Sequence, residues 1–199
     1  MVSKLRQNQR GGTMVEMPVA LTVFFIFLAF PLIDLATIAL RTATVYLAVY
    51  NAAHDAARAA TFQGPAPTNS ADPPFAKGTA IQIARDKALE TKAACLAGTD
   101  FGPDDVKVRI VCSPLNKPPD PDRPNQGPKV EFVQADNQRL SKKIDPDFVY
   151  SIEVTINAQV QPLFTLSSGL FGNVPGLTVP IPVSATARQF SENSEGLTQ

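Results

Sequence analysis

Glu16 is a carboxylate at the start of an apolar segment that contains no other charged residue before Asp34. A charge beside hydrocarbon is costly, so Glu16 is expected to have a partner there. Thr13 and Glu16 have the S/T-x-x-E spacing of a capping box, in which two side chains bond to the first free amides of a helix. Cleavage after Gly11 would instead create an amine on Gly12, one helical turn before Glu16, and the two charges would pair. The two interpretations are compatible.

The other titratable side chains form no recognisable catalytic or metal-binding set. His54 is the only histidine, which removes most triads and zinc sites. No nucleotide-binding, hydrolase or paired-cysteine motif occurs. Four acids lie in proline-rich, turn-like contexts, where turn chemistry is favoured over calcium binding; they are Asp104, Asp105, Asp145 and Asp147. We therefore predict no enzyme activity, no cofactor, no metal and no small-molecule substrate.

The charge balance argues against nucleic acid as a partner. Lys+Arg and Asp+Glu number 18 each, and aromatic and basic residues do not alternate on any predicted strand face. The balance conceals one local excess, because Lys4, Arg6 and Arg10 lie in a leader, residues 1–11, that contains no acid. Basic flanks of an apolar helix stay in the cytoplasm, so the bulk of the chain is expected outside it.

The apolar segment is long enough to span a membrane. Met17 to Ile33 contains no charge and would form about 26 Å of helix; with Asp34 tolerated, the segment reaches Leu40 and about 36 Å. The hydrocarbon core measures about 30 Å. A cleaved secretory signal, with its shorter apolar core, is the main alternative. We favour a retained anchor over residues 17–40, with a kink near Pro31 because proline lacks an amide hydrogen.

Asp34 lies near the outer end of this predicted span. A carboxylate in that place either pairs within the membrane interface or is simply exposed there, and we weigh the two equally. Arg41, two helical turns later, is a candidate partner in the same chain.

Periodicity divides the chain into a leader (1–11), a long helix (12–62), a linker (63–78), an exported domain (79–190) and a loose polar tail (191–199). The outer half of the long helix presents small residues at three- and four-residue spacing, which favours close packing; they are Val45, Ala48, Val49, Ala52, Ala56 and Ala60. The predicted fold class is α+β, with a second helix after residue 78 and a small antiparallel sheet of about three or four strands.

Alternating residues predict the strands of that sheet. Residues 106–112 and 150–162 alternate apolar with polar side chains, so one face of the sheet is expected to be wet. A short strand is expected near residue 132. The last strand, residues 177–190, contains Pro180 and Pro182 and is therefore predicted to lie at an edge.

Cys95 and Cys112 are the two cysteines of the chain. Both fall in the part predicted to be exported, where disulfides persist, so we expect them to pair. A bond closing this loop would contribute on the order of 3 kcal/mol by the loop-entropy model. Two separate thiols are the alternative.

Three stretches resemble one known family. The family is that of the TadE-like minor pilins. Its basic leader ending in glycine, and its Val-Glu before a long apolar run, resemble "RGGTMVEMPVALTVFFIFLAFPLIDLA". Its Ala-Arg-rich continuation resembles "NAAHDAARAAT", and its final strand resembles "LTVPIPVSATARQF". These minor pilins are pseudopilins of the tight-adherence, or Flp, type IV pilus system. The related TadF- and TadG-like proteins share much of the N-terminal pattern. The stretches cover about a third of the chain.

The resemblance implies a single-pass protein of the bacterial inner membrane that a prepilin peptidase cleaves. Gly11 and Gly12 would flank the cut, and Glu16 would be the acid of the mature N-terminus. The implied partners are the membrane, the peptidase and other pilins or pilus-assembly proteins. The alternative is an unprocessed periplasmic scaffold that binds its partner through the proline-rich loop from Ser113 to Lys129.

Overall fold

The computed structural model describes most of the chain, in eight parts: residues 12–62, 78–94, 97–115, 132–134, 140, 144–164, 174–176 and 178–198. It forms two compact units rather than consecutive domains. The first unit combines Met1–Leu40 with Gln161–Ile181, and the second combines Arg41–Val160 with Pro182–Gln199. The sequence predicted an anchor followed by one exported domain, so the assignment of residues 161–181 to the anchor's unit is a difference that the structure reveals.

The N-terminal helix is continuous and includes one irregular turn. It consists of α1 (Gly12–Phe24), a π-helical turn (Phe25–Ala29) and α2 (Phe30–Ala57). The π turn lies directly before Pro31, and the Phe30 N–H donates to the Phe25 carbonyl within it. Proline has no N–H to donate to the carbonyl four residues earlier, and its ring clashes with that carbonyl. A wider, π-helical turn relieves the clash. The sequence predicted a kink near Pro31; the structure has a π turn just before this proline, and the kink itself stays a prediction.

The helix ends earlier than predicted, at Ala57 instead of Phe62. No glycine or proline marks the end, and contacts distant in sequence provide the cap. The Glu192 N–H donates to the Ala57 carbonyl at 2.9 Å, and Arg58 pairs with the Glu192 carboxylate at 3.1 Å. The Asn193 side-chain amide donates to a further carbonyl, at Ala60. The last carbonyls of a helix need partners, and here the chain after the final strand supplies them.

The second unit contains a five-stranded sheet. Its strands are β1 (Thr99–Asp100), β2 (Val106–Pro114), β3 (Phe132–Gln134), β4 (Phe148–Val160) and β5 (Ile181–Phe190). β4 pairs with β1, β2 and β5, and β2 also pairs with β3. The β2–β4 ladder is antiparallel and runs from Val106 opposite Ile156 to Pro114 opposite Phe148. The four predicted strands are present, together with the two-residue β1, so the α+β class is confirmed.

β5 begins at Ile181, four residues later than predicted. Of the described strands it pairs only with β4. Thr155 bonds to Thr186, and the Ser191 N–H donates to the Tyr150 carbonyl, so the two strands run antiparallel. Pro182 is exposed, which suits a residue that has no ladder hydrogen to give.

One face of β4 and the matching face of β2 form the core of the second unit. The buried side chains include Val106, Val108, Ile110, Ile152, Val154 and Ile156. Helix α3 (Ala80–Ala94) contacts β2 and buries Ile81, Ala84 and Ala88 as its periodicity predicts. Its start is capped by Thr79, whose Oγ1 accepts from the Gln82 N–H at 3.3 Å.

The small residues of α2 also lie in this core. Val45, Ala48, Val49, Ala52 and Ala56 are at most 1% exposed, whereas Ala60, beyond the helix end, is exposed. The predicted loose tail is wrong for its described part. Leu197 is buried within a short 3₁₀ turn, and its carbonyl accepts from the Leu140 N–H at 2.8 Å.

Candidate membrane-anchoring site

The predicted cleavage region lies at the edge of what the structure describes. Gly11 falls outside the described residues, and Gly12 is the first residue of α1. Glu16 follows one helical turn later and is exposed. Residues four apart share a helix face, so an amine on Gly12 would lie on the same side as the Glu16 carboxylate. Thr13 lies within the helix, and its side chain is outside the described set, so the capping box stays a prediction.

The helix that follows exposes apolar side chains on every side. Met17, Phe27 and Leu35 are 67%, 58% and 64% exposed. A helix of a water-soluble core would bury such residues, at about 1.5–3 kcal/mol for each large side chain. By length and composition, the stretch from Glu16 to Ala57 is able to cross a membrane, and it lies near the N-terminus. A signal sequence near the N-terminus would meet the same two criteria.

Asp34 is fully buried on this otherwise exposed part of the helix. Its Oδ1 accepts hydrogen bonds from the backbone N–H groups of Leu163 and Phe164, each at 2.9 Å. Its Oδ2 is buried without a hydrogen-bond partner among the described residues. Arg41, the candidate partner from the sequence, lies against Gly98 in the second unit. Asp34 therefore joins the helix to the segment after β4.

Two further contacts within the first unit support this junction. The Phe164 ring packs on Phe30, with centroids 5.4 Å apart and planes tilted by 50°. Gly176 has φ +83°, and a Cβ atom at that position would lie 2.9 Å from Ile38 Cδ1 and 2.8 Å from Ile181 Cδ1. Glycine is required there because the backbone approaches the helix closely in a left-handed conformation. The segment is thus held at both of its described ends.

The outer part of α2 has a polar face that includes the only histidine. The His54 ring stacks on Tyr50, with centroids 6.3 Å apart. Asp55 lies 3.8 Å from Lys87 of α3, and Lys87 also bonds to Glu90 at 2.9 Å. The hydrogen bond and charge of Glu90 raise the pKa of Lys87 above its ordinary value, and Asp55 adds to this. These groups form exposed ion pairs, a common arrangement on helix surfaces.

Arg188 connects three strands on the polar face of the sheet. Its Nε donates to Ser151 Oγ at 2.6 Å and its Nη2 donates to Ser113 Oγ at 2.8 Å. Ser151 is fully buried and donates in turn to the Val111 carbonyl. The predicted wet face is therefore partly covered. Arg188 is the arginine of "ATAR", which ends the resemblance in the final strand.

We expect Arg188→Ala to lower the free energy of unfolding by about 1.5–3 kcal/mol, since hydrogen bonds to a charged group are stronger than neutral ones. Arg109→Ala is the control on the same face. The Arg109 side chain is half exposed and pairs with Glu153, whose side chain is mostly buried, so we expect a smaller loss, of about 1 kcal/mol. Denaturant unfolding of the detergent-solubilised chain measures both. Equal losses from the two variants would contradict a special role for Arg188.

The acids that suggested calcium as an alternative are engaged in local turns. Asp105 Oδ2 accepts from the Gly102 N–H at 2.7 Å, and Asp145 Oδ1 accepts from the Asp147 N–H at 3.0 Å. A cleft near β1 is lined by Asp100 and Asp105, but Asp100 is paired with Lys92 at 3.2 Å. Within the described ranges, no group of three His, Cys, Asp or Glu side chains could hold a metal ion.

Cys112 is buried near the end of β2, and Cys95 lies outside the described residues just after α3. The predicted disulfide therefore stays a prediction. The proline-rich loop of the scaffold alternative likewise lies outside the described residues from position 116 to 131.

Sequence reasoning missed the contact between Asp34 and the segment after β4. Two signals were present: a lone acid within an apolar helix, and the absence of any charged residue between Glu153 and Arg188. Neither signal specifies the other as its partner, because Asp34 and Leu163 are 129 residues apart in sequence, with α3 and the first four strands between them.

The chain was compared with protein families, curated proteins and solved structures. No protein-family model, no curated protein and no solved structure matches the chain significantly.

Proposed function

We propose that this chain is a pseudopilin-like, membrane-anchored subunit that assembles a tight-adherence type IV pilus. In this proposal a prepilin peptidase cleaves between Gly11 and Gly12, and the mature helix packs among other membrane helices. The protein would cross the bacterial inner membrane once, with its leader in the cytoplasm and its sheet domain in the periplasm.

One observation supports this proposal most directly. The helix is already regular at Gly12, Glu16 lies exposed one turn later, and apolar side chains point outward for the next five turns. Cleavage before Gly12 would leave a charged amine at the end of an apolar helix. A nearby carboxylate, in the same chain or in a neighbouring one, lowers the cost of placing that amine beside hydrocarbon.

The rest of the helix is suited to lateral packing. Its membrane half exposes apolar residues, and beyond that half Leu40, Tyr46, Leu47 and Tyr50 are each at least half exposed. Exposed apolar patches of this kind are typical of interaction sites. The opposite face is occupied by the chain's own core, so the exposed face remains for partner helices.

The mass of the membrane-extracted protein tests cleavage. In cells that contain the prepilin peptidase, the intact mass should fall by the mass of residues 1–11, and Gly11→Leu should abolish the change because the enzyme would meet a large side chain at the cut. Gly12→Ala is the matched control and should still be cleaved. An unchanged mass in the presence of the peptidase would favour the alternative, an unprocessed periplasmic scaffold.

A further inference from the structure

We propose that the segment after β4 is a second membrane contact, in which Leu163 and Phe164 lie in the outer interface of a phospholipid bilayer beside the anchoring helix. This inference rests on the membrane insertion in the proposed function, and it is independent of cleavage and of pilus assembly. The contacts described above for Asp34, Phe164 and Gly176 all lie within the first unit.

Asp34 determines the depth of the segment. At 1.5 Å per residue, Asp34 lies about 27 Å along the helix from Glu16. The hydrocarbon core is about 30 Å thick, so a helix that enters at Glu16 brings Asp34 close to the opposite boundary. The amides of Leu163 and Phe164 bond directly to Asp34 and must lie at the same level.

Hydrogen bonding explains how an irregular backbone is tolerated at this depth. Free N–H groups are costly near hydrocarbon, and non-helical backbone is found there only where the protein itself satisfies it. Asp34 accepts two such N–H groups at Oδ1, and those two bonds in turn offset part of the cost of burying its carboxylate. The bonds between Asp34 and the segment therefore lower the free-energy cost of placing both the carboxylate and the non-helical backbone at the membrane boundary.

The side chains of the segment suit lipid better than water. Leu163, Phe164 and Val174 are 48%, 43% and 39% exposed, while Phe164 also packs on Phe30. Charged residues make up 18% of the chain, yet none lies between Glu153 and Arg188. The Phe164 ring joins the apolar surface of the helix through its contact with Phe30. A lipid boundary accounts for both the exposure and the missing charge.

Tryptophan fluorescence tests this inference, because the natural chain contains no tryptophan. Phe164→Trp in the full-length protein is reconstituted into phosphatidylcholine vesicles whose acyl chains are brominated either near the headgroup or near the chain centre. We expect emission shifted to shorter wavelength, and loss of emission that is greater with bromine near the headgroup. Vesicles of the unbrominated lipid give the baseline.

Phe27→Trp is the matched control for insertion, since it lies about 16 Å beyond Glu16, near the middle of the bilayer. It should be quenched most by bromine near the chain centre. Quenching of Trp at position 27 without quenching at position 164 would overturn the second contact and leave the anchor intact. Blue-shifted but unquenched emission at position 164, which means cover by protein, would also overturn it. Absence of quenching at both positions would refute the membrane insertion itself.

Asp34→Leu separates the role of the carboxylate from that of the segment. Leucine keeps the helix apolar but cannot accept the two amides, so quenching at position 164 should decrease. Quenching at position 27, measured in the same Asp34→Leu background, should remain and so report an inserted helix. Unchanged quenching at position 164 would overturn the assignment of Asp34 as the group that holds the segment.

Discussion

Glu16→Gln is expected to abolish incorporation of the cleaved protein into pilus assemblies while leaving it in the membrane. Glutamine has nearly the same shape and still accepts hydrogen bonds, but it cannot neutralise the amine of Gly12. An uncompensated charge in a low-dielectric environment costs on the order of 3–5 kcal/mol. Since about 1.4 kcal/mol corresponds to a tenfold change in an equilibrium constant, the loss should exceed about a hundredfold.

Two fractions of the same cells measure this result. Resistance to alkaline extraction reports membrane insertion, and co-purification with the major pilus subunits reports assembly. Thr13→Val is the matched control, because it removes the hydroxyl of the capping box and keeps the carboxylate. If capping were the main role of Glu16, Glu16→Gln would change helix stability only slightly, because glutamine also completes a capping box. Thr13→Val would cost about 1 kcal/mol of helix stability, and assembly would persist in both variants. That outcome would contradict the counter-charge hypothesis.

Ala52→Leu is expected to destabilise the second unit by about 1–3 kcal/mol, the typical cost of overpacking a dense core. Ala52 is fully buried in the outer half of α2, so the larger side chain must displace its neighbours. The thermal unfolding midpoint of the detergent-solubilised full-length protein, followed by circular dichroism, should fall accordingly.

Ala60→Leu is the control for that substitution, since the sequence places Ala60 in the same row of small residues but the structure leaves it exposed. Its effect should lie within about 0.5 kcal/mol of zero, as for most surface substitutions. If the two variants had equal effects, the burial that distinguishes Ala52 from Ala60 would be wrong, and with it the observed end of the helix at Ala57.

The N-terminal helix shares its compact unit with a segment from much later in the chain. On sequence alone the helix was a membrane span followed by an independent domain. In the structure the anchor's unit also includes Gln161–Ile181, a segment inserted between two strands of the sheet. The chain thus passes between the two units three times: within α2, after β4 and at the start of β5.

Most elements of secondary structure were predictable because their signals are local. The apolar run predicted the long helix, the 3.6-residue period predicted the buried face of α3, and strict alternation predicted β2 and β4. The functional hypothesis also arose locally, from Gly11, Glu16 and the leader, and cleavage stays a prediction.

By itself, the sequence determined the order and type of the main elements, the exposed apolar helix and the candidate cleavage position. Only the tertiary structure decided that α2 ends at Ala57, that Arg188 joins three strands and that Asp34 receives the amides of Leu163 and Phe164. The physical reason is the same in each case. Periodicity reports which side of an element is apolar, whereas the partner of an unsatisfied carbonyl, hydroxyl or carboxylate is chosen by groups that only the folded chain brings together.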